Sequence, residues 1–129
     1  MAMTTKLPPC PCGSGDYASC CGRYHDGVAA ADAEILMRSR YSAYVLKLET
    51  YLLATWHPGT RPATLDIAAN HTKWLGLEVK KHLPESACRA TVEFVARYKI
   101  GGRAGRLYEV SRFVRENDRW FYVDGEFVG

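Results

Sequence analysis

The sequence predicts an α+β domain with a small metal-binding knuckle at its N-terminal end. Three observations point there. Apolar residues recur at a helical period through residues 33–48. From Trp74 onward the period changes to two, with Gly-Gly or Asn-Asp turn signals between the runs. Ahead of both, four of the five cysteines fall within residues 10–21, in CPCGSGDYASCC. Helices first and an antiparallel meander second give the α+β class.

The knuckle comes first in the chain. Cys10 and Cys12 frame one proline, and Cys20 and Cys21 are adjacent. Cysteines that close make strained disulfides, and nothing in the sequence marks a secreted chain. Zinc takes four thiolates in a tetrahedron, and two short pairs joined by a tight loop can supply them. Gly13, Ser14 and Gly15 allow that loop. His25, just past the second pair, is the alternative fourth ligand to Cys21, since imidazole is an ordinary zinc ligand; otherwise it reads as an exposed loop histidine. A unit of this size cannot fold without its ion. The expected division is therefore 1–25 for a flexible tail and knuckle, and 26–129 for the α+β domain. The two are expected to have separate cores.

Within the second part, Asp32 can cap a helix beginning at Ala33. Met37, Tyr41, Tyr44 and Leu48 form its apolar stripe, widened by Ala33, Leu36 and Val45. Arg38 reads as solvated, and Arg40 sits beside the stripe, able to snorkel or to reach a sheet carboxylate. Thr50 is a fair cap for a second helix running through Trp56-His57 and ended by Pro58-Gly59. Pro62, Leu65, Ile67 and Ala68 suggest a short third helix. Leu75, Leu77 and Val79 alternate as a strand that Pro84 breaks. Cys88 to Lys99 is a longer strand, with Cys88, Ala90, Val92, Phe94, Ala96 and Tyr98 on one face; Cys88 is thus expected to be a buried thiol. A glycine-rich loop over 101–105 leads to a return strand, Leu107 to Arg115. Glu116-Asn117-Asp118 turns into a last strand, Arg119 to Val123, stopped by Asp124-Gly125. Pairing Ile100 with Arg106 would place Arg97 opposite Glu109, Glu93 opposite Phe113, and Val95 opposite Ser111.

Cys10-Pro11-Cys12-Gly13-Ser14-Gly15, Tyr17 and Cys20-Cys21 resemble the SEC-C zinc motif, known from the C-terminal tail of the SecA translocase. The spacing between the pairs is one residue shorter here. Downstream, AEILMRSRYSAYVLKLETYLLATWHP, WLGLEV, VEFVARY, YEVSRFV and RWFYVDG resemble the YchJ-like family, from about residue 8 to the end. That resemblance implies a SEC-C knuckle joined to a cone of the nuclear transport factor 2-like kind, in which helices cover the concave side of a curved sheet. It implies one structural zinc per chain and no particular activity. SEC-C motifs elsewhere serve protein contacts, so it also implies a protein partner, in secretion or translation machinery.

Several residues could carry chemistry inside such a cone. Arg97 and Glu109, as an expected cross-strand pair, would line it if their face is concave. His57 at a helix end would stand near the mouth, although a histidine there also suits the helix dipole. Arg40, Trp74, Trp120 and Tyr122 complete the candidate cavity residues. His71 and His82 read as exposed, in polar loop-like stretches. Gly101-Gly102 precedes a strand rather than a helix and so is no phosphate loop. No Gly-x-Ser-x-Gly elbow or His-Glu-x-x-His helix is present.

The chain has 129 residues and a formal net charge of +3. That is one domain's worth, too mildly charged to signal nucleic acid, and four zinc-bound thiolates would lower the charge by about two. No apolar run is long enough to span a bilayer, and MAMTTKLPP lacks a signal-peptide core. A cytoplasmic protein is expected, where thiols stay reduced. The leading functional expectation is a protein-interaction module that uses the knuckle, with Gly22-Arg23-Tyr24 as an anchor. The alternative is a small-molecule enzyme or binding protein of isomerase, dehydratase or hydrolase type that uses the cone. The cone interior discriminates the two: converging polar groups favour a ligand site, whereas filling by Trp and Tyr favours the module.

Overall fold

A 14-residue helix lies across one face of a four-stranded antiparallel meander, and the cysteine knuckle is fastened to that helix. The computed structural model describes residues 8–67 and 71–128. The tail at 1–7 and Ala68 of the expected third helix lie outside the described residues. No helix among those described is long and apolar enough to cross a membrane.

The helices are α1 (Cys21–His25), α2 (Ala33–Leu46) and α3 (Glu49–Ala54). Asp32 caps α2, its carboxylate accepting from the Ile35 amide at 2.8 Å. Lys47 ends α2 in the left-handed conformation, φ 59°. The second helix is shorter than the sequence suggests. Leu48 rather than Thr50 precedes α3, which stops at Ala54, and Trp56 instead makes a parallel bridge to Tyr122. The His57 amide donates to the Tyr122 carbonyl at 2.7 Å and the Tyr122 amide to Thr55 at 2.9 Å. The chain leaves its helix to pair with the sheet edge. Between Arg61 and Asp66 no helix forms; Asp66 itself has φ 51°.

The strands are β1 (Lys73–Ser86), β2 (Arg89–Ile100), β3 (Arg103–Glu116) and β4 (Arg119–Phe127), ordered β1-β2-β3-β4. β1 continues through Pro84 because it is an edge strand, where one missing N–H costs no ladder bond. A bulge between Trp74 and Gly76 turns Leu75 outward, leaving Trp74, Leu77 and Val79 against the core. Further irregularities at Val79/Lys81, Pro84/Ser86 and Arg112/Phe113 go with the curvature of the sheet. Ala90, Val92, Phe94 and Ala96 are buried as the alternation predicts. Cys88 is not: it is exposed in the β1–β2 turn. His82 lies within β1, half-buried, with Nδ1 3.9 Å from Glu34. β4 runs past Asp124-Gly125 to Phe127.

The β2–β3 hairpin corrects the expected register. Gly101 and Gly102 alone make the turn, at φ 56° and 81°, so Ile100 pairs with Arg103. Arg97 therefore faces Arg106, and Glu109 faces Phe94. Glu93 pairs with Val110 and Val95 with Tyr108. An odd shift moves one partner of each expected pair to the other face of the sheet.

The knuckle has no core of its own. Cys10, Cys12 and Cys21 belong to the same buried cluster as Leu36, Met37, Tyr41, Val92, Phe94 and Phe113. Arg38 is no free cation: Nε bonds Glu34 at 3.0 Å, and Nη1 donates to the Cys12 carbonyl at 3.4 Å and the Ser14 hydroxyl at 3.3 Å.

Candidate functional site

The knuckle is built by backbone turns that converge on sulfur. Pro9 and Asp16 form an antiparallel bridge, and the Cys10 amide donates to the Gly15 carbonyl at 2.7 Å. This closes the first pair into a tight loop. A short 3₁₀ turn, Tyr17–Ser19, then delivers Cys20 and Cys21 to the start of α1. The four Sγ atoms of Cys10, Cys12, Cys20 and Cys21 all lie within 4.8 Å of one another. Cys12 and Cys20 sulfurs are 3.6 Å apart, and those of Cys20 and Cys21 4.0 Å. Zn–S bonds of about 2.3 Å in a tetrahedron require sulfur separations of about 3.8 Å. The donor set and spacing thus fit a tetrahedral thiophilic ion.

Electrostatics within the cluster agree with that fit. The Cys21 thiol hydrogen-bonds Cys12 and pulls its pKa down to about 4. Burial pushes Cys20 up to about 11, and the bond to Cys12 pushes Cys21 up as well. A dication would replace the thiol protons and satisfy all four sulfurs. His25 does not belong to this set. A carbonyl can only accept, so His25 Nε2 carries the proton it gives to the Ser39 carbonyl at 2.8 Å, and Nδ1 accepts from the Tyr17 hydroxyl at 2.6 Å. With both nitrogens engaged and its ring 4.6 Å from that of Tyr51, it is a packing residue at the end of α1.

The second feature is a cavity of about 240 Å³ between α2 and the concave sheet face. Apolar walls come from Met37, Tyr41, Trp74, Phe94, Leu107 and Phe113, and polar groups from Arg40, Tyr44, Glu109, Ser111 and Tyr122. Arg40 is fully inside, at 5% exposure. Its Nη1 donates to the Leu52 carbonyl at 2.8 Å and to Thr55 Oγ1 at 2.7 Å. Its guanidinium lies 4.7 Å from the Tyr122 ring centre and 5.2 Å from that of Trp56. Burial lowers its pKa, from so high a start that it stays charged at neutral pH. Burial likewise raises the Tyr44 and Tyr122 phenols, keeping them protonated donors.

Glu109 enters the cavity because the observed register turns it inward. Ser111 Oγ donates to its Oε2 at 2.5 Å and Tyr122 O–H donates to the same oxygen at 3.4 Å. The carboxylate lies over Gly125, where a Cβ would collide with it. Other residues expected at the cavity lie elsewhere. Arg97 has a 62% exposed side chain on the outer face, 3.9 Å from Glu78. His57 packs its ring beside Phe121 near the start of β4, its Nδ1 accepting from the Gly59 amide and its Nε2 donating to Glu116 at 3.0 Å. Trp120 lines a smaller cavity of about 170 Å³ with Tyr24, His25 and Tyr51.

Residues 32–125 match the family model described as the middle NTF2-like domain of YchJ. The chain belongs to the YchJ-like family. A UPF0225 protein of Ralstonia nicotianae is 54% identical, covering 98% of this chain and 100% of that protein. One of Cupriavidus metallidurans is 58% identical over 95% and 91%. The solution structure of a SEC-C motif containing protein from Rhodopseudomonas palustris superposes with a TM-score of 0.82 at 38% identity, covering 94% of this chain and 99% of the other. A crystal structure of a SEC-C motif containing protein from Psychrobacter arcticus gives 0.80 at 33% identity, over 98% and 86%. The helices, curved sheet and preceding cysteine cluster of this chain are thus those of a YchJ-like protein.

Ser111, Tyr44 and Gly125 are cavity determinants that the sequence reading left out of the site. Tyr44 looked like one more member of the apolar stripe. Ser111 is a small polar residue on the buried side of β3, a signal legible only once the register is known. Gly125 reads as a strand stop and is instead a gap made for a side chain.

Proposed function

We propose that this YchJ-like chain is a small-molecule-binding cone, held together at its N-terminal end by a structural zinc ion on Cys10, Cys12, Cys20 and Cys21. The observation that carries the proposal is the concave cavity in which Arg40 and Glu109 converge within mainly apolar walls. Cavities of that make-up are the usual form of a ligand site. The zinc reading is supported by four mutually close sulfurs and by a donor set of soft thiolates. A reducing, cytoplasmic setting would keep those thiols available.

A ligand-observed NMR fragment screen on the full zinc-loaded chain tests the binding function. Ala96 lines the cavity and is buried. Ala96→Leu, checked by circular dichroism for an unchanged fold, should remove the fragment signals. A screen without hits, or hits indifferent to the substitution, contradicts the reading. Elemental analysis of protein purified without chelator should find one zinc per chain; content far below that contradicts the metal assignment.

A second reading keeps a protein partner, in secretion or translation machinery by resemblance. It is favoured by Arg23, exposed on α1, whose guanidinium lies 5.2 Å from the Tyr24 ring centre. A partner captured from lysate by the intact chain should then be lost with Arg23→Glu. Retention of the same partner removes Arg23 as its anchor.

A further inference from the structure

We infer that the cone takes a small zwitterion with an apolar body, of the α-amino-acid type, with its carboxylate toward Arg40 and its ammonium toward Glu109. The inference rests on the ligand-binding function proposed above and names the class of ligand.

Two opposite charges stand in one cavity. Among the described residues no ion pair within 4.0 Å joins Arg40 to Glu109. Arg40 is held by a carbonyl, a hydroxyl and two ring faces. Glu109 is held by two hydroxyls on a single oxygen. Every one of these partners is neutral. A charge in apolar surroundings is best stabilised by an opposite charge in contact, and neither has one, although Glu109 acts on Arg40 across the cavity.

A ligand with a single charge cannot supply both. An anion drawn to Arg40 meets the Glu109 carboxylate in the same small space, and a cation drawn to Glu109 meets the guanidinium. A zwitterion matches the two at once and leaves the cavity neutral. Hydroxyls of Tyr44 and Ser111 stand beside these groups to complete hydrogen bonding. The remaining lining, Met37, Trp74, Phe94 and Leu107, calls for an apolar or aromatic body, and the aromatic faces also suit an ammonium. Size sets the upper bound. About 240 Å³ falls below the roughly 300–1,000 Å³ of drug-sized sites, which leaves room for a ligand the size of one amino acid.

The test is an NMR titration of the full ¹⁵N-labelled, zinc-loaded chain with three probes of one shape: L-phenylalanine, 3-phenylpropanoate and phenethylamine. L-phenylalanine should shift amides near Arg40 and Glu109 and bind at least about tenfold more tightly than either single-charge analogue. Glu109→Gln keeps the shape and the Ser111 contact. It should remove the advantage of L-phenylalanine over 3-phenylpropanoate while leaving 3-phenylpropanoate binding at least as tight. Equal or tighter binding of 3-phenylpropanoate to the unaltered chain would make this an anion site and overturn the inference. Equal or tighter binding of phenethylamine would make it a cation site, with the same consequence. If none of the three binds while the fragment screen still finds cavity ligands, the zwitterion inference falls and the ligand-binding function stands. If the screen fails too, both fall.

Discussion

Arg40 is a buried cation that touches three parts of the fold. It leaves α2 on the inner side, reaches the last turn of α3 through Leu52 and Thr55, and lies against Trp56 and Tyr122 where the chain pairs with β4. One guanidinium thereby ties two helices to the sheet and leaves a charge on the cavity wall. Replacing it with methionine keeps much of the volume and removes two charge-assisted hydrogen bonds. Arg40→Met should cost at least about 3 kcal/mol in urea unfolding. A loss under about 1 kcal/mol would show that the guanidinium is not a structural tie. The sequence placed Arg40 beside the apolar stripe and allowed it to reach inward, because helical spacing alone reports the face. It gave no sign that backbone and hydroxyl oxygens, rather than a sheet carboxylate, would receive it. His25 shows the same limit from the other side. Its nearness to Cys21 in sequence made it a ligand candidate, while in space Tyr17 and Ser39 occupy both nitrogens.

At the scale of elements, alternation located the strands and their buried faces well, since a period of two survives in β2 almost without exception. Turn chemistry was the weaker signal. Three glycines in 101–105 do not say which two make the turn, and the choice of Gly101-Gly102 decides whether Glu109 points in or out. The same choice sets Arg97 directly against Arg106 on the outer face. Like charges opposite one another on a strand pair are unfavourable. Arg106→Glu should therefore stabilise the chain, by up to about 1 kcal/mol at low salt, with the gain shrinking as salt is added. Thermal or urea denaturation at two ionic strengths checks it; a loss of stability at low salt would contradict the register-based account. Bulges were also out of reach. Leu75 belongs to the inner set by alternation, and only the irregularity at Trp74/Gly76 explains why it is exposed.

On the scale of the whole molecule, the cysteine knuckle and the cone form one packed body. Composition makes residues 8–25 look like an appendage, since they carry few apolar side chains. Three of their cysteines nonetheless join the main core, and Arg38 and His25 fasten the knuckle to α2 through the Cys12 and Ser39 carbonyls. Buried sulfur thus serves as core material, a role that counting ligands does not reveal. The same helix that receives the knuckle forms the roof of the cavity, through Met37, Arg40, Tyr41 and Tyr44. A change at the knuckle would therefore reach the cavity through α2. Native-state hydrogen exchange of the zinc-loaded chain, with and without a chelator, tests this most directly. Chelation should strip protection from residues 8–25 and also from the inner face of Ala33–Leu46. Loss confined to residues 8–25, with α2 protection unchanged, would contradict it.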